Sequence, residues 1–168
     1  WVETGQSPTV FRYIDWLITV PLQIVEFYLI LAAITIVPVA LFWRLLIYSL
    51  VMLVFGYLGE AGFMNVTLGF VIGMAGWLLI LYEIFAGEAS KINADSANAS
   101  CQKAFNALRL IVTIGWAIYP IGYVFGYLLE SSNINAVNII YNYADLINKT
   151  AFGLVIWAAA IKDSEASA

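Results

Sequence analysis

The sequence predicts an all-α membrane protein, a transmembrane bundle of five helices that forms a single domain over residues 1–168. Of the 168 residues, 63% are hydrophobic and only 11% are charged. A soluble domain carries about 25% charged residues, so this chain has too little charge to cover a globule in water. The apolar residues also fall into five runs of about 20 residues or more, the length that crosses a bilayer as a helix.

The five predicted spans follow one another through connections that contain turn residues. Pro38 separates the first two spans, residues 59–62 separate the second and third, and residues 130–133 separate the last two. These connections are as short as those of an antiparallel bundle, and only residues 87–100 resemble a longer polar loop. The predicted spans are 9–34, 41–59, 63–86, 104–129 and 135–161.

The basic residues predict the orientation of the chain. Cytoplasmic segments next to membrane spans are enriched in Lys and Arg. The connections around Glu60 and Glu130 contain neither residue, so we expect the N-terminus outside the cell and the C-terminus in the cytoplasm. The basic residues that flank the spans on the cytoplasmic side are Arg44, Lys91, Lys103, Arg109 and Lys162.

The composition argues against several classes of function. The chain has no histidine, which is the commonest metal ligand and the usual general base. Zinc chemistry and Ser-His-Asp hydrolysis are therefore not expected, and neither is a metal site. A net charge of −4 argues against a nucleic-acid partner. The single cysteine, Cys101, cannot form a disulfide within the chain.

Five charged residues lie inside the predicted spans, where lipid makes a charge costly. A charge at the bilayer centre costs at least about 2.5–3.5 kcal/mol, so each is a candidate functional residue. In the first span Arg12 and Asp15 are three residues apart. Glu26 returns to within about 20° of Asp15 around the helix and lies about 16 Å further along its axis. In the last span Asp145 and Lys149 are four residues apart and share a face.

These charges have two interpretations. Asp145 and Lys149 alone are equally consistent with a structural ion pair between helices. Glu26 favours a proton path, because a carboxyl group isolated in an apolar setting stays protonated at neutral pH and can then give up that proton. An aspartate beside a positive charge stays ionised instead. Two carboxyl groups in such different surroundings are assigned as an acid and a base.

Lys149 is either a paired charge or the attachment point of a carbonyl cofactor, bound as a Schiff base. Aromatic residues in membrane helices usually pack or form interfacial belts. The aromatic residues of this chain instead fall near the middle of their spans, at about the depth of Lys149. They could line a slot for a flat, apolar, conjugated ligand. The candidates are Trp16, Trp77, Trp116 and Tyr119, together with Pro120.

The sequence resembles the microbial rhodopsins, and most of all the blue-absorbing proteorhodopsins. The resemblance rests on FRYIDWLITVPL, the following Glu26, GWAIYPIGY and YADLINKT, which match the third, sixth and seventh helices of that family. It covers essentially the whole chain in order. The combination of D-x-x-x-K with R-x-x-D-W-x-x-T is strongly specific, whereas each piece alone is weak. The resemblance implies that the five helices match helices three to seven of a seven-helix rhodopsin.

The resemblance implies that Lys149 carries all-trans retinal as a protonated Schiff base. Asp15 is then the counter-ion and proton acceptor, and Glu26 is the cytoplasmic proton donor. Asp145 is a second counter-ion, and Arg12 tunes both aspartates. The residues that the resemblance places around the retinal are Trp16, Thr19, Met52, Trp77, Trp116, Tyr119 and Pro120.

The resemblance also implies a light-driven outward proton pump. Residues 15, 19 and 26 separate ion types within the family, and Asp, Thr and Glu at these positions look like a proton pump. Gln23 occupies a position where Gln marks the blue-absorbing type, so we expect it to tune the colour; the alternative is a polar residue that bonds across helices. The implied setting is the bacterial inner membrane, where a multi-pass homo-oligomer would have the lipid bilayer and protons as partners.

The chain departs from the family pattern in two ways. The family has seven helices, so we expect two more helices to complete the bundle and close the retinal pocket. The histidine that proteorhodopsins hold near the acceptor belongs to the second helix, which is absent here. The outer connection offers Glu130 but not the pair of glutamates that releases protons in archaeal pumps. We therefore expect proton release to come later in the cycle or by another path.

Two other functions compete with the pump. The first is a photosensory rhodopsin that signals to a partner protein without net transport, and Glu26 argues against it because slow sensors usually lack a carboxylic donor. The second is a helical scaffold or transporter subunit without retinal. In the pump, the fourth span is the expected moving helix, because it contains Pro120 and several glycines.

Overall fold

The structure is a computed structural model that describes residues 7–129 and 133–166. Every regular element within these residues is helical. Five of the helices are long and apolar enough to cross a membrane, which confirms the predicted fold class. In chain order the helices are α1 (Thr9–Ala32), α2 (Val39–Glu60), α3 (Val66–Phe85), α4 (Glu88–Ser96), α5 (Ala99–Leu128) and α6 (Ile134–Ala166).

The connection between α2 and α3 is a tight turn, as its glycines predicted. Gly62 adopts a φ of 77°, a left-handed conformation that costs glycine little and other residues more. Asn65 then caps α3, since its side-chain oxygen accepts a hydrogen bond of 3.0 Å from the main-chain N–H of Leu68. This cap satisfies one of the N–H groups that a helix start leaves without a partner.

The prediction of a loop at residues 87–100 was wrong, because Glu88–Ser96 form the helix α4. Asn98 then caps α5 by accepting a hydrogen bond from the main-chain N–H of Cys101 (2.9 Å). Helix α5 therefore begins at Ala99 and not at residue 104. A short polar helix gives no strong apolar periodicity, so the pattern that identifies longer helices is missing here.

Three charged side chains hold α4 against the ends of α2 and α3. Arg44 of α2 donates to Glu83 of α3 (2.7 Å) and to Glu88 at the start of α4 (2.5 Å). The carboxylate of Glu83 also accepts from the main-chain N–H of Glu88 (3.0 Å). The acidic side chain of Glu88 in the first turn complements the positive end of the helix dipole.

Helices α2 and α3 pack with their backbones in close contact at glycines of α3. A Cβ atom on Gly69 would lie 2.8 Å from the carbonyl oxygen of Phe55, and one on Gly76 would lie 2.8 Å from the carbonyl oxygen of Tyr48. Small residues commonly allow such an approach between membrane helices. The contact leaves the other face of α2 free to contribute to the centre of the bundle.

Helix α5 is not a regular α-helix along its length. Residues Ile111–Gly115 and Val124–Leu128 are π-helical, and they flank the segment that contains Trp116, Tyr119 and Pro120. Proline has no N–H to donate to the preceding turn, and π-helical turns are frequent at functional sites. The irregular backbone therefore coincides with the aromatic segment that the sequence identified.

Helix α1 has two different faces. Ile24, Phe27 and Leu31 are completely buried, whereas Phe11 and Ile18 are exposed. The exposed apolar side chains suit a lipid environment. Asp15 lies on the exposed side, and Trp16 directly after it points into the core. Asp15 and Trp16 are neighbours in sequence but thus face different surroundings.

Candidate functional site

The Lys149 amine lies between two carboxylates that come from different helices. Its Nζ atom on α6 forms an ion pair with Asp15 Oδ2 on α1. The same atom lies 3.7 Å from Asp145 Oδ2, one turn earlier on α6. The structure therefore brings together the three residues that the sequence analysis singled out by their spacing.

Asp145 is fixed by donors from two other helices. The indole N–H of Trp16 lies 2.9 Å from Asp145 Oδ2 and 3.1 Å from Oδ1. The hydroxyl of Tyr119 on α5 donates to Oδ1 at 2.6 Å. The carboxylate accepts these bonds in addition to the nearby amine, and such bonds stabilise its charged form. Asp15 has no comparable donor besides Lys149 among the residues that the structure describes.

Beside Lys149 lies a cavity, here called the slot, whose surface is predominantly apolar and aromatic. The rings of Trp16 and Tyr119 meet edge to face at one side, with centroids 5.1 Å apart. Lys149, Asp145, Gln23 and Asn148 are among its polar side chains. The residues that line the slot are Trp16, Val20, Gln23, Met52, Leu53, Met74, Trp77, Trp116, Tyr119, Pro120, Asp145, Asn148 and Lys149.

The slot contains every residue that the resemblance placed around the retinal except Thr19. The hydroxyl of Thr19 donates to the main-chain oxygen of Asp15 (2.9 Å). Its side chain lines a neighbouring groove, which opens to the outside of the bundle between α1 and α6. The residues of this groove are Thr19, Leu22, Gln23, Glu26, Lys149, Phe152, Gly153, Ile156 and Trp157.

Glu26 therefore lines the same groove as Lys149. The structure gives Glu26 no hydrogen bond and no ion pair within residues 7–129 and 133–166, which agrees with the isolation that its sequence position predicted. Gln23 lines both the slot and the groove, so it stands at the boundary between the aromatic pocket and the carboxyl group.

Four lining residues were missed by the sequence analysis, namely Val20, Leu53, Met74 and Asn148. Helical spacing could have found two of them, since Val20 follows Trp16 by one turn and Met74 precedes Trp77 by one turn. Asn148 is a buried polar residue next to Lys149, and its amide donates to the main-chain oxygen of Gly115 (3.0 Å). This bond attaches α6 to the first π-helical segment of α5.

Arg12 does not contact either aspartate in the part of the chain that the structure describes. Its guanidinium lies 3.7 Å from the carboxylate of Glu60 at the end of α2 and donates to Asn138 of α6. It also lies over the ring of Tyr141, 4.8 Å from the centroid. Helical side chains lean toward the helix N-terminus, so Arg12 points away from Asp15, which follows it in sequence. Spacing had suggested that the two residues are neighbours.

Glu130, which the sequence offered for proton release, lies outside the described residues. Glu60, in contrast, was read only as part of a connection, and the structure shows its side chain to be buried and paired. The hydroxyl of Tyr13 donates to its carboxylate (3.1 Å). An acidic residue at the end of an apolar span is common at a membrane surface, so the sequence gave little sign of this contact.

Comparison with known proteins gives consistent matches over nearly the whole chain. The sequence model of the family described as bacteriorhodopsin-like protein matches residues 1–163. The chain is 54% identical over 166 residues to the blue-light absorbing proteorhodopsin of Gamma-proteobacterium Hot 75m4, covering 98% of this chain and 66% of that protein. It is 54% identical over 165 residues to the green-light absorbing proteorhodopsin of Gamma-proteobacterium EBAC31A08, with the same coverage. The chain thus spans just under two thirds of the length of these relatives.

Two solved structures share the fold. The blue light-absorbing proteorhodopsin from Med12 matches with a TM-score of 0.80 and 58% identity, over 97% of this chain and 72% of that one. The rhodopsin of Exiguobacterium sibiricum matches with a TM-score of 0.81 and 35% identity, over 95% of this chain and 74% of that one. Both matches agree with the arrangement of five membrane helices described above.

Proposed function

Because this chain belongs to the bacteriorhodopsin-like family, we propose that it is a light-driven outward proton pump that binds all-trans retinal through Lys149. One observation carries the proposal: the Lys149 amine lies at an aromatic slot and between two carboxylates. An amine can form a Schiff base with the aldehyde of retinal. When bound, retinal would supply the light-driven isomerisation that changes the proton affinity and the partner of the Lys149 nitrogen.

The residues of the slot fit such a group. A conjugated apolar chain needs flat, apolar walls, and Trp16, Trp116 and Tyr119 provide them. A positively charged nitrogen needs a negative partner that lipid does not provide, and Asp15 and Asp145 lie beside it. Gln23 adds an amide on the slot surface, and this supports its proposed role in colour tuning.

The different surroundings of the two aspartates support Asp15 as the proton acceptor. Asp145 already accepts bonds from Trp16 and Tyr119, which favour its charged form and oppose protonation. Asp15 depends on the Lys149 charge itself for its stabilisation. When the proton leaves the Lys149 nitrogen, Asp15 loses that positive partner and is the better base. Asp145 then remains ionised as the second counter-ion.

Glu26 is proposed as the donor that returns a proton to the Lys149 nitrogen. It lines the groove that also contains Lys149 and Thr19, and it has no charged partner in the described part of the chain. A carboxyl group without such a partner in an apolar setting keeps its proton. It can release that proton when the Lys149 nitrogen has lost its own, and the cytoplasm then refills Glu26.

Direction of transport requires that Lys149 faces the two sides of the membrane in turn. We propose α5 as the moving helix, because its backbone is irregular near the slot: two π-helical segments flank Pro120, which has no N–H to donate. The basic residues at the ends of α2 and α5 support a cytoplasmic C-terminus and an external N-terminus. The working protein is further proposed to contain two more helices and to assemble as a homo-oligomer in the bacterial inner membrane.

Illumination of cells or liposomes that contain the retinal-loaded protein tests the pump directly. We expect the medium outside cells to acidify in the light, and the signal to disappear with a protonophore. A pigment that bleaches and recovers slowly without acidification would identify a photosensor instead. Borohydride reduction in the light followed by mass analysis of the Lys149 peptide tests the attachment. An unmodified Lys149 in pigmented material would reject the retinal site.

A further inference from the structure

Two carbonyl oxygens of α5 are deprived of their usual main-chain donors, because the backbone of this helix is irregular beside the slot. In a regular α-helix each carbonyl accepts from the N–H four residues further along. The N–H of Trp116 bonds instead to Ile111 O (3.0 Å), at the end of a π-helical segment, and so is withdrawn from Val112 O. The N–H of Tyr119 bonds to Trp116 O (3.1 Å) and so is withdrawn from Gly115 O.

Side chains from two other helices bond to these same two carbonyls. The indole N–H of Trp77 on α3 donates to Val112 O (3.0 Å). The amide of Asn148 on α6 donates to Gly115 O (3.0 Å), and a Cβ atom on Gly115 would overlap that amide. A main-chain carbonyl without a donor is costly inside a membrane bundle. The two side-chain bonds therefore stabilise the irregular backbone of α5.

The two donor side chains belong to the wall of the slot. Trp77 and Asn148 both line it, as does Trp116, the residue that follows Gly115. A group that fills the slot therefore contacts the same side chains that hold the α5 backbone. A change in the shape of that group would act directly on the two side-chain bonds.

We infer that Trp77 and Asn148 are positioning residues that hold α5 in its resting conformation and release it when the group in the slot changes shape. Val112 O and Gly115 O each have an alternative donor, since the N–H groups of Trp116 and Tyr119 would bond to them in a regular helix. Two pairings of the same carbonyls make α5 a bistable element, which conformational switches require. The inference rests on the proposed function, because it takes a light-sensitive group in the slot as the trigger.

The part of α5 that these bonds restrain is its cytoplasmic half in the proposed orientation. Ala99–Leu110 is a regular α-helix that ends where the π-helical segment Ile111–Gly115 begins. Helices bend where their regular bonding is interrupted. Release of the two side-chain bonds therefore lets this half move as a unit, while the aromatic segment that follows stays at the slot.

The test measures the position of α5 by the distance between two spin labels in the full seven-helix protein with retinal. Lys103→Cys on α5 and Tyr82→Cys on α3 carry the labels, in a protein with Cys101→Ser and no other cysteine. Weak constant light should add a second distance to the one seen in the dark. Trp77→Phe removes the N–H donor and keeps an aromatic ring. We expect it to raise the ratio of the second distance to the first by about threefold to tenfold at equal absorbed light.

Asn148→Leu keeps the test independent of how Trp77→Phe folds, because it removes the other donor from a different helix with a side chain of similar size. It should raise the same ratio by a similar factor, and the double variant should raise it further. An unchanged or lowered ratio in either pigmented single variant would overturn the inference. Lower thermal stability with an unchanged ratio would identify Trp77 and Asn148 as packing residues only.

Trp43→Phe and Asn142→Leu are the matched controls, because they make the same changes at exposed positions of α2 and α6. Both should leave the ratio of the two distances unchanged. Loss of light-driven acidification in the unsubstituted protein would reject the proposed function. Normal pumping with one distance in both light and dark, or with a ratio that neither Trp77→Phe nor Asn148→Leu alters, would reject the inference alone.

Discussion

Replacing Asp15 with Asn tests why one of the two carboxylates beside Lys149, and not the other, accepts the proton. Asp145 receives hydrogen bonds of 2.9 Å from Trp16 and 2.6 Å from Tyr119. Hydrogen bonds to a charged group contribute about 1.5–3 kcal/mol each and those to a neutral group about 0.5–1.5 kcal/mol, so a proton on Asp145 would weaken its two bonds by about 2–3 kcal/mol together. Since about 1.4 kcal/mol is a factor of ten, Asp145 should be on the order of 100-fold poorer as a substitute acceptor.

We therefore expect Asp15→Asn protein to pump protons at about 1% or less of the unsubstituted rate. The assay is the initial rate of light-driven pH change in liposomes, normalised to the amount of pigment. Asp15→Glu is the control, because it keeps a carboxyl group at this position. Adding Tyr119→Phe to Asp15→Asn removes one bond to Asp145 and should raise the rate of deprotonation at the Lys149 nitrogen about tenfold or more. Pumping by Asp15→Asn at a tenth of the normal rate would refute the reasoning.

Three further predictions concern other parts of the molecule. Glu26→Gln removes the donor and should slow only the return of a proton to the Lys149 nitrogen, by at least about tenfold, as followed by flash spectroscopy; added azide, a diffusible proton donor, should restore the rate. Gln23→Leu should move the absorption maximum to longer wavelength, whereas an unchanged spectrum would favour a purely structural amide. Gly76→Ala should destabilise the bundle by about 1–3 kcal/mol in denaturant unfolding, because the new Cβ would lie 2.8 Å from backbone atoms of α2. Gly153→Ala, which meets nothing within 4 Å, should have no such effect.

Two kinds of feature could be predicted from the sequence: those set by residues within one helix, and those set by the contact of the helices with lipid. The spans follow from hydropathy, and Lys149 was identified because a charge in lipid is costly enough to need a reason. The pairing of Lys149 with Asp15 was predicted only with the help of the family resemblance, since no local spacing joins residues on two helices. Val20 and Met74 were missed although their helical spacing to tryptophans was visible. That spacing is equally typical of ordinary core packing.

Features that depend on side-chain direction or on long-range contacts could not be predicted in this way. Arg12 and Asp15 have the spacing of a pair, but Arg12 turns toward Glu60, which is 48 positions further along the chain. Helix α4 is held by Arg44, Glu83 and Glu88, whose contact joins three elements. No periodic pattern encodes such contacts. These contacts form only when the tertiary structure brings the helix ends together.

The proposed pump divides the polar groups of the site between two sides. On the slot side, Trp16, Tyr119 and Asn148 use their polar atoms in fixed hydrogen bonds, so they orient other groups and do not move protons. On the groove side, the side chain of Asp15 is 48% exposed and that of Lys149 is 26% exposed. Glu26 and Lys149 line the groove together, and the exposed carboxylate of Asp15 contacts Lys149.

This division explains why the groove must be covered in the working protein. A pump works only if Lys149 is reached from one side of the membrane at a time, and an open groove would let water reach Lys149 and Glu26 together. Water would also screen the ion pair of Lys149 and weaken the difference between Asp15 and Asp145 on which the acceptor role depends. The two further helices that we propose would close this face. They would cover Glu26 and Lys149 in the groove, together with the exposed Asp15 that contacts Lys149.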